Sequence, residues 1–330
     1  MSSVPGPAPP WRNDLRAALT RSRVRFDVPL KPFTTLRVGG AADALVELES
    51  DDELARLFEV IARHDLPWTV LGKGSNLLVP DAGVRGVVLR LGRAYATVTP
   101  GAAIHTLHAG AAVPNAQFVE RCRRDGLGGL EFLIAIPGSI GGAVAMNAGA
   151  HQGETADALV SVCYFQWGLG IATAPAGDFA FAYRSSQLRA PLGRIVLSAV
   201  FRLQPVDEST SRARITQFQT YRRETQPRDF PNCGSVFKNP AGDFAARLIE
   251  RAGLKGRMLG GAQVSEKHAN FIVNRGNATA ADILELIALI RETLLRETGV
   301  TLELELQQLV GTRLAGSSGS HIVPGAVSAP

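Results

Sequence analysis

Residues 136–152, IPGSIGGAVAMNAGAHQ, form the most informative stretch of this 330-residue sequence. The stretch is apolar and almost free of charge, which is unlike a solvated linker. Glycine has no Cβ, so the backbone here can approach a flat ligand or a phosphate closely. We therefore predict backbone packed against an apolar ligand with a phosphate tail, although a close-packed structural loop would give the same pattern. The predicted contacts are Pro137, Gly138, Gly141, Gly142, Asn147 and Gly149.

A second glycine turn, LGKGSN at residues 71–76, follows a predicted strand. Successive N–H groups in such a turn form a nest that binds pyrophosphate. The spacing fits neither the dinucleotide fingerprint nor the P-loop, and a tight hairpin turn is the alternative. Two such segments in one chain favour a large dinucleotide ligand. The residues of this turn predicted to bind it are Gly72, Lys73, Gly74, Ser75, Asn76 and Leu77.

Hydrophobic periodicity divides the chain into three blocks. The first, about 32–91, predicts a helix over 51–64 and strands over 68–71 and 86–91. The second, about 94–204, predicts a helix over 104–125 and strands over 159–165 and 193–203. The third, about 209–311, predicts a short helix over 244–252, a long one over 281–298 between caps Thr279 and Gly299, and a half-buried strand in VTLELELQQLV (300–310). Residues 1–12 and 312–330 are expected to be flexible tails.

Composition narrows the classes of protein. The net charge of +5 suits an anionic ligand but does not identify one. Cys122, Cys163 and Cys233 are widely spaced, which supports neither a disulfide framework nor a metal site. No apolar run reaches the ~18 residues that a membrane span requires, and no signal peptide is evident. We expect a cytoplasmic protein without a membrane or nucleic-acid partner, since no basic stripe with interleaved aromatics occurs.

Five spaced segments together resemble one enzyme family. They are TTLRVGGAADAL (34–45), VLGKGSNLLV (70–79), IPGSIGGAVAMNAGAHQGE (136–154), FAYRSS (181–186) and CGSVFKNP (233–240). In this order they closely resemble the UDP-N-acetylenolpyruvoylglucosamine reductases, over about residues 32–311. The resemblance implies an α+β fold with a two-subdomain FAD-binding module of the vanillyl-alcohol-oxidase (PCMH) type, residues 13–93 and 94–205. It also implies a C-terminal α/β substrate domain, residues 206–311.

The resemblance also implies roles for particular residues. Ser235 stands where the family has its proton donor, and Arg184 stands at its catalytic arginine. Glu305 matches the family's glutamate, but Glu303 is a rival two residues away, on the same face of a strand. Tyr183, Lys238 and Asn239 fall near the substrate. His268 is a weaker substrate-binding candidate, for which a structural histidine is the alternative.

The implied reaction is the reduction of an enolpyruvyl UDP-sugar to UDP-N-acetylmuramate by NADPH, through non-covalently bound FAD. Arg184 and Glu305 would stabilise the enol-like state, and Ser235 would protonate the α carbon. The chain resembles the subgroup that lacks a tyrosine-bearing insertion, and we expect a monomer. His151 stands where a tyrosine is frequent, so no role is carried over to it.

Two other functions fit the same scaffold. One is an FAD-dependent oxidase of a small alcohol, and the other is a non-catalytic flavin-fold binding protein. The joint presence of Arg184, Ser235 and Glu305 argues against the second. The segment that contains Ser235, Lys238 and Asn239 argues against the first.

Overall fold

Three regions, each with its own helices and strands, follow one another in the computed structural model, which describes residues 9–189 and 193–314. The first region is built on a four-stranded sheet of order β1-β2-β5-β3. The pair β2–β5 and the pair β3–β5 are parallel, and β1 is antiparallel to β2. Two helices cover the sheet. The elements are α1 (Pro10–Ala18), β1 (Arg23–Pro29), β2 (Ala41–Leu48), α2 (Asp51–Arg63), β3 (Trp68–Val70), β4 (Leu77–Leu78) and β5 (Val84–Leu91).

The second region contains a five-stranded antiparallel sheet of order β12-β11-β13-β7-β6. Helices α3 and α4 pack against it around Phe118, Phe201 and Val144. Two short strand pairs, β8–β14 and β9–β10, flank the sheet. The elements are β6 (Val98–Pro100), β7 (Thr106–Gly110), α3 (Asn115–Arg124), β8 (Leu127–Gly128), α4 (Ile140–Met146), β9 (Gly149–Ala150), β10 (Gly153–Glu154), β11 (Leu159–Gln166), β12 (Gly170–Pro175), β13 (Arg194–Arg202) and β14 (Gln204–Pro205).

Helix α5 (Glu208–Thr225) packs against the second region, on the 3-10 turn Glu131–Ala135. Ile215 is part of that region's core, and Phe218 packs against it. The predicted boundary at 205/206 assigns this segment to the substrate domain. In the structure, the apolar contacts of α5 lie in the core of the second region.

The third region is a small three-stranded sheet packed on a long helix. Helix α7 buries Ile283, Leu286, Ile287, Ile290 and Leu294 on one face, whereas Leu295, which the amphipathic pattern places on the apolar face, is 54% exposed. A capping box between Thr279 and Asp282 begins the helix, and Gly299 ends it with φ of 72°. The elements are α6 (Ala245–Arg251), β15 (Met258–Leu259), β16 (Ala262–Val264), β17 (Ile272–Asn274), α7 (Ala280–Thr298) and β18 (Gln307–Gln308).

Three element predictions are wrong. The helix predicted over 104–125 is the strand β7, a turn, and then α3, which begins only at Asn115 after Pro114. The strand predicted over 300–310 is reduced to one bridge at Leu304 and the two residues of β18. The tails are shorter than expected, since α1 begins at Pro10 and Thr312 pairs with Trp68. The remaining predicted tail residues, 1–8 and 315–330, lie outside the described residues.

Among the residues that the structure describes, no helix is both long enough and apolar enough to cross a membrane.

Candidate active site

A cavity of about 1140 Å³ lies where the three regions meet. Pockets for one drug-sized ligand are typically ~300–1,000 Å³, so this one has room for a larger ligand or for two. The first region contributes residues 69–77, and the second contributes the glycine segment from Ala135 to His151 and the hairpin residue Arg184. Residues 226–235, Glu305 and residues 307–310 line the cavity from the other side.

The glycine turn of the first region leaves its backbone donors available. Gly74 has φ of +63°, and a Cβ there would lie 2.2 Å from the Phe33 carbonyl oxygen, so only glycine fits. The backbone N–H groups of Gly72, Lys73, Gly74 and Ser75 have no hydrogen-bond acceptor within residues 9–189 and 193–314. Adjacent unpaired N–H groups at a cavity wall form the kind of nest that binds a phosphate.

The two glycine segments meet in the wall. The Ser75 hydroxyl donates a hydrogen bond of 2.6 Å to the Pro137 carbonyl oxygen. Gly138 lies beside Ser75, while a Cβ on Gly142 would meet nothing within 4 Å, so any side chain at 142 would enter the cavity. Glycine is favoured at position 141 for a different reason, because a Cβ there would lie 2.8 Å from the Cβ of Ala111. Both predicted segments therefore line one cavity, and Gly142 keeps part of it open.

Arg184 and Glu305 form a largely buried ion pair in this wall. Arg184 Nε donates to Glu305 Oε1 at 2.9 Å, Nη2 donates to the Gly149 carbonyl at 2.7 Å, and each side chain is 17% exposed. Arg184 has φ of +53°, at the tip of a hairpin closed by two backbone bonds between Ala182 and Ser185. Burial raises the pKa of Glu305, and the Arg184 charge offsets part of that rise. Two residues that lie 121 positions apart in the sequence thus form one ion pair at the cavity.

Ser235 lies next to this pair. The backbone of Val236 accepts hydrogen bonds from the N–H of Glu305 at 2.9 Å and of Leu306 at 3.2 Å, which fixes the two segments side by side. Ser235 follows Gly234, which has φ of +80°, and its hydroxyl has no hydrogen-bond partner in the described part of the chain. The hydroxyl is therefore available to a ligand in the cavity.

The environments of Glu303 and Glu305 differ sharply. Glu303 has 76% of its side chain exposed and pairs with Lys238 Nζ at 3.1 Å, outside the cavity wall. Glu305 faces the cavity and Arg184. The geometry therefore favours Glu305 as the glutamate of the site.

In this structure the side chain of Asn147 forms hydrogen bonds with other parts of the protein. It is 1% exposed, and its amide donates to Glu154 Oε2 at 2.7 Å and to the Ala182 carbonyl at 3.1 Å, while its oxygen accepts from the Ala156 N–H at 3.0 Å. It does not line the cavity. The contact with Ala182 anchors the hairpin that carries Arg184, and direct cofactor binding by Asn147 stays a prediction.

The four predicted substrate-binding residues also lie outside the wall. Tyr183 stacks under the Arg184 guanidinium at 4.8 Å, and Lys238 pairs with Glu303. Asn239 accepts the N–H of Ala245 at 3.1 Å at the start of α6. His268 is half-buried, burial lowers its pKa, and its Nδ1 accepts the Asn270 N–H at 3.3 Å. Their roles in substrate binding stay predictions.

Sequence reasoning missed the strongly cationic character of the wall. Its carboxylates are Asp229 and Glu305. Burial lowers the pKa of Arg222, and the nearby charge of Arg228 lowers it further, so an anion between them would relieve both effects. The clustered arginines of RRETQPRD (222–229) were the available signal. The cationic residues of the wall are Arg37, Lys73, Arg90, Arg184, Arg189, Arg194, Arg222 and Arg228.

An aromatic cluster stands at one side of the cavity. His151, which lines the cavity, stacks on Phe218 at 4.5 Å and meets Tyr221 edge-on at 4.9 Å. Both partners belong to α5, a helix that the sequence pattern did not reveal. Burial lowers the pKa of His151, which favours a neutral ring at neutral pH.

Comparisons with known proteins agree with this geometry. Residues 42–166 match the FAD binding domain family, and residues 226–309 match the C-terminal domain of UDP-N-acetylenolpyruvoylglucosamine reductase. UDP-N-acetylenolpyruvoylglucosamine reductase 2 of Symbiobacterium thermophilum is 46% identical over 286 residues, which covers 86% of this chain and 92% of the relative. The UDP-N-acetylenolpyruvoylglucosamine reductase of Geobacter metallireducens is 46% identical over 295 residues, covering 89% and 96%.

A solved structure also aligns over nearly its whole length. The crystal structure of the reductase from Thermus caldophilus has a TM-score of 0.76 at 40% identity, covering 87% of this chain and 99% of that one. These matches confirm the predicted α+β fold, with an FAD-binding module followed by a distinct C-terminal domain. The chain is therefore a member of the UDP-N-acetylenolpyruvoylglucosamine reductase family of FAD-binding oxidoreductases.

Proposed function

We propose that this chain uses FAD and NADPH to reduce the enolpyruvyl group of UDP-N-acetylglucosamine enolpyruvate, giving UDP-N-acetylmuramate for peptidoglycan synthesis. The observation that carries the proposal is the convergence of the Arg184–Glu305 pair, Ser235 and both glycine segments on one cavity. The two relatives at 46% identity are named for this substrate, and the cavity contains groups suited to it.

The residues present fit FAD. Unpaired N–H groups in the glycine turn and cationic side chains suit its pyrophosphate, and Gly142 leaves space beside the wall. We propose that the cofactor is held without a covalent bond. Cys233 is the cysteine that lines the cavity, and burial raises the pKa of its thiol to about 12, so little reactive thiolate forms near neutral pH.

Hydride transfer from NADPH to the vinyl carbon of the substrate is the chemistry that FAD would supply when bound in this cavity. The protein groups then handle charge and the proton. Arg184, fixed by Glu305 and by the Gly149 carbonyl, would stabilise the negative charge that develops on the enol-like carboxylate. Ser235 would donate the proton of its free hydroxyl to the α carbon.

The cationic wall suits the rest of the substrate. A UDP-sugar carries two phosphates, and this substrate adds a carboxylate. Arg222 and Arg228, whose charges repel each other across a partly buried space, are the groups that would gain most from an anion. We propose that they neutralise the phosphates. We also propose that the enzyme is a monomer and that it is located in the cytoplasm. Its three free cysteines fit a reducing compartment.

The test is an anaerobic visible spectrum of the purified protein as NADPH and then the enolpyruvyl UDP-sugar are added. We expect a flavin spectrum that is bleached by NADPH and restored by the UDP-sugar. Protein that cannot be loaded with FAD would overturn the proposal. Reoxidation by oxygen during turnover of a small alcohol, without any response to the UDP-sugar, would favour the oxidase instead.

Ser235→Ala separates the two half-reactions. Because only the hydroxyl is lost, FAD binding and reduction by NADPH should stay near wild type, while reoxidation by the UDP-sugar should slow by about 10²–10⁴-fold. Ser209→Ala is the matched control and should change neither step, since Ser209 is an exposed serine in the first turn of α5 whose hydroxyl donates to Asp207. If Ser235→Ala slowed both half-reactions equally, the proton-donor role would be wrong.

A further inference from the structure

Ser186 joins the hairpin that carries Arg184 to the end of helix α4. The last carbonyl groups of a helix have no partner within it, so other groups must bond to them. The Ser186 hydroxyl donates to the carbonyl of Ala145, in the last turn of α4, at 2.7 Å. It also accepts the N–H of Leu188 at 3.1 Å. Ser186 is 5% exposed and does not line the cavity, so its side chain acts within the protein and not on a ligand.

Asn147 makes a second bond between the same two segments. It ends α4 in the left-handed conformation, with φ of 45°, which asparagine tolerates better than most residues. Its Nδ2 donates to the carbonyl of Ala182 at 3.1 Å and to the Glu154 carboxylate at 2.7 Å. Ala182 precedes Arg184 by two residues, and Ser186 follows it by two. The hairpin is therefore attached to α4 on both sides of Arg184.

Arg184 is the strained residue between these two attachments. Its φ of +53° is unfavourable for a residue with a side chain, and such a conformation persists where the surrounding structure holds it. Its Nη2 donates to the carbonyl of Gly149, two residues beyond Asn147 in the glycine segment. Backbone and guanidinium of Arg184 are thus both fixed relative to that segment, which lines the cavity.

We propose that Asn147 and Ser186 are positioning residues that hold Arg184 in the geometry in which it stabilises the enol-like carboxylate of the substrate. The proposal rests on the proposed function, which assigns that role to Arg184. Neither side chain lines the cavity, so each acts through the hairpin. The attachment also keeps Arg184 in one geometry relative to the glycine segment that we propose binds FAD.

Ser186→Ala and Asn147→Gly test the two attachments separately. The first removes one hydroxyl, and the second removes the amide while glycine keeps the left-handed backbone. FAD affinity and reduction by NADPH should stay near wild type in both variants. Reoxidation by the UDP-sugar should slow by about 10–100-fold, the effect of a displaced catalytic group. Flavin titration and anaerobic stopped-flow absorbance measure these steps, and Ser186→Ala alone is sufficient if Asn147→Gly fails to fold.

Thr155→Val is the matched control for a purely structural effect. The Thr155 hydroxyl is buried and donates to the carbonyl of Ala148 at 2.7 Å, so it makes the same kind of bond to the same segment without touching the hairpin. Its loss should lower stability about as much as Ser186→Ala does and should leave reoxidation at the wild-type rate. Equal slowing in Thr155→Val and Ser186→Ala would refute the positioning role, because general loosening of the segment would then explain both.

The pH profile of reoxidation gives a readout that stability alone would not change. Burial raises the pKa of Glu305, and the charges of Arg184 and Lys238 lower it. If Arg184 is no longer held beside Glu305, the pKa of Glu305 should rise further, and the loss of rate on the acid side should begin at higher pH. An unchanged pH profile in both variants would refute the positioning role.

The outcomes separate this inference from the proposed function. Reduced wild-type flavin that the UDP-sugar does not reoxidise would refute the proposed function. Normal reoxidation in folded Ser186→Ala and Asn147→Gly would refute the inference alone. Weakened FAD binding by Asn147→Gly, with normal reoxidation of the protein that does bind FAD, would assign Asn147 to the cofactor and would also overturn the inference.

Discussion

Glu303 and Glu305 show how two identical side chains in one short segment acquire different chemistry. Glu303 is mostly exposed beside Lys238, so water and salt screen its charge. Glu305 is buried beside Arg184, and burial raises its pKa. An isolated buried carboxylate would be costly, and Arg184 makes the ionised form tolerable. The protein therefore keeps this ion pair in spite of the free-energy cost of burying its two charges.

Glu305→Gln tests this pair with a matched control. The glutamine keeps the volume and an acceptor for Arg184 Nε but removes the charge, so we expect reoxidation of the flavin by the UDP-sugar to slow by about 10²–10³-fold. Glu303→Gln should stay within about twofold of wild type. Stopped-flow absorbance under anaerobic conditions measures both. A larger effect from Glu303→Gln would reverse the assignment.

At the residue scale, the sequence identifies site residues that lie close together in the chain better than residues that meet only in the fold. The glycines of 71–77 and 136–149 reveal themselves because several lie close together in the chain. Arg184, Ser235 and Glu305 are far apart in sequence, and only the resemblance to a known family joined them. Arg222 belongs to a local cluster of arginines, but its significance comes from burial and from the neighbours that the fold brings to it.

Helix α2 illustrates the element scale. The sequence suggests that the acidic start, Asp51 and Asp52, caps the helix, but no side-chain cap forms there. Glu53 instead turns back and accepts the backbone N–H groups of Arg21 at 2.6 Å and Ser22 at 2.8 Å. This buried carboxylate joins α2 to the turn between α1 and β1. The spacing of apolar residues indicates a helix, but it does not indicate which loop the first turn of that helix contacts.

The pH dependence of stability should expose this contact. Burial raises the pKa of Glu53, but hydrogen bonds from Ser22 and the backbone outweigh it, so the pKa lies below its usual 4.5. A lowered pKa means that the contribution is complete above 4.5 and is lost as the pH falls below it. Glu53→Gln should therefore lower the free energy of unfolding by about 2 kcal/mol at pH 7.

Urea unfolding at pH 7 and at pH 4 checks this expectation. The difference between wild type and Glu53→Gln should shrink at the lower pH, because the Glu53 carboxylate of the unfolded state begins to take up a proton before that of the folded state. Glu59→Gln, on the exposed face of the same helix, should match wild type at both values. A difference for Glu53→Gln that is constant with pH would show that shape, and not charge, stabilises the turn.

Element predictions succeeded where one face alone is buried. Helix α7 carries a clear apolar stripe between two caps, and its predicted bounds differ from the observed ones by one residue. The segment 104–125 failed because β7 is buried among neighbouring strands and lacks the alternation that marks a half-buried strand. Helix α5 was missed because it is mostly polar and packs through only a few residues, among them Ile215.

At the scale of the whole molecule, the cavity exists because the third region folds back onto the first. Strand β18 pairs in parallel with β4, and the Asn76 amide donates to the Glu305 carbonyl at 3.0 Å. These contacts thus tie Glu305 directly to the glycine turn of the first region. Such pairings join residues more than 200 positions apart, and no local pattern in the sequence could have indicated them.

Asn274 makes a further link between these two regions. It is 2% exposed at the end of β17, its Nδ2 donates to the Leu36 carbonyl at 3.1 Å, and its oxygen accepts from the N–H groups of Gly276 and Ala278. The loop that it holds contains Thr35, whose N–H donates to the Gly74 carbonyl at 3.0 Å. Asn274 therefore supports the glycine turn from the third region.

Asn274→Ala should reduce both stability and cofactor binding. Loss of these buried bonds should lower the free energy of unfolding by about 2–4 kcal/mol, and release of the loop should weaken FAD binding because the glycine turn loses its support. Asn277→Ala is the matched control, since Asn277 is an exposed amide in the loop that follows Asn274. Its loss should leave both stability and FAD affinity near wild type. Urea unfolding and FAD titration of both variants decide the matter: if Asn274→Ala lost stability but bound FAD normally, the glycine turn would be shaped by the first region alone.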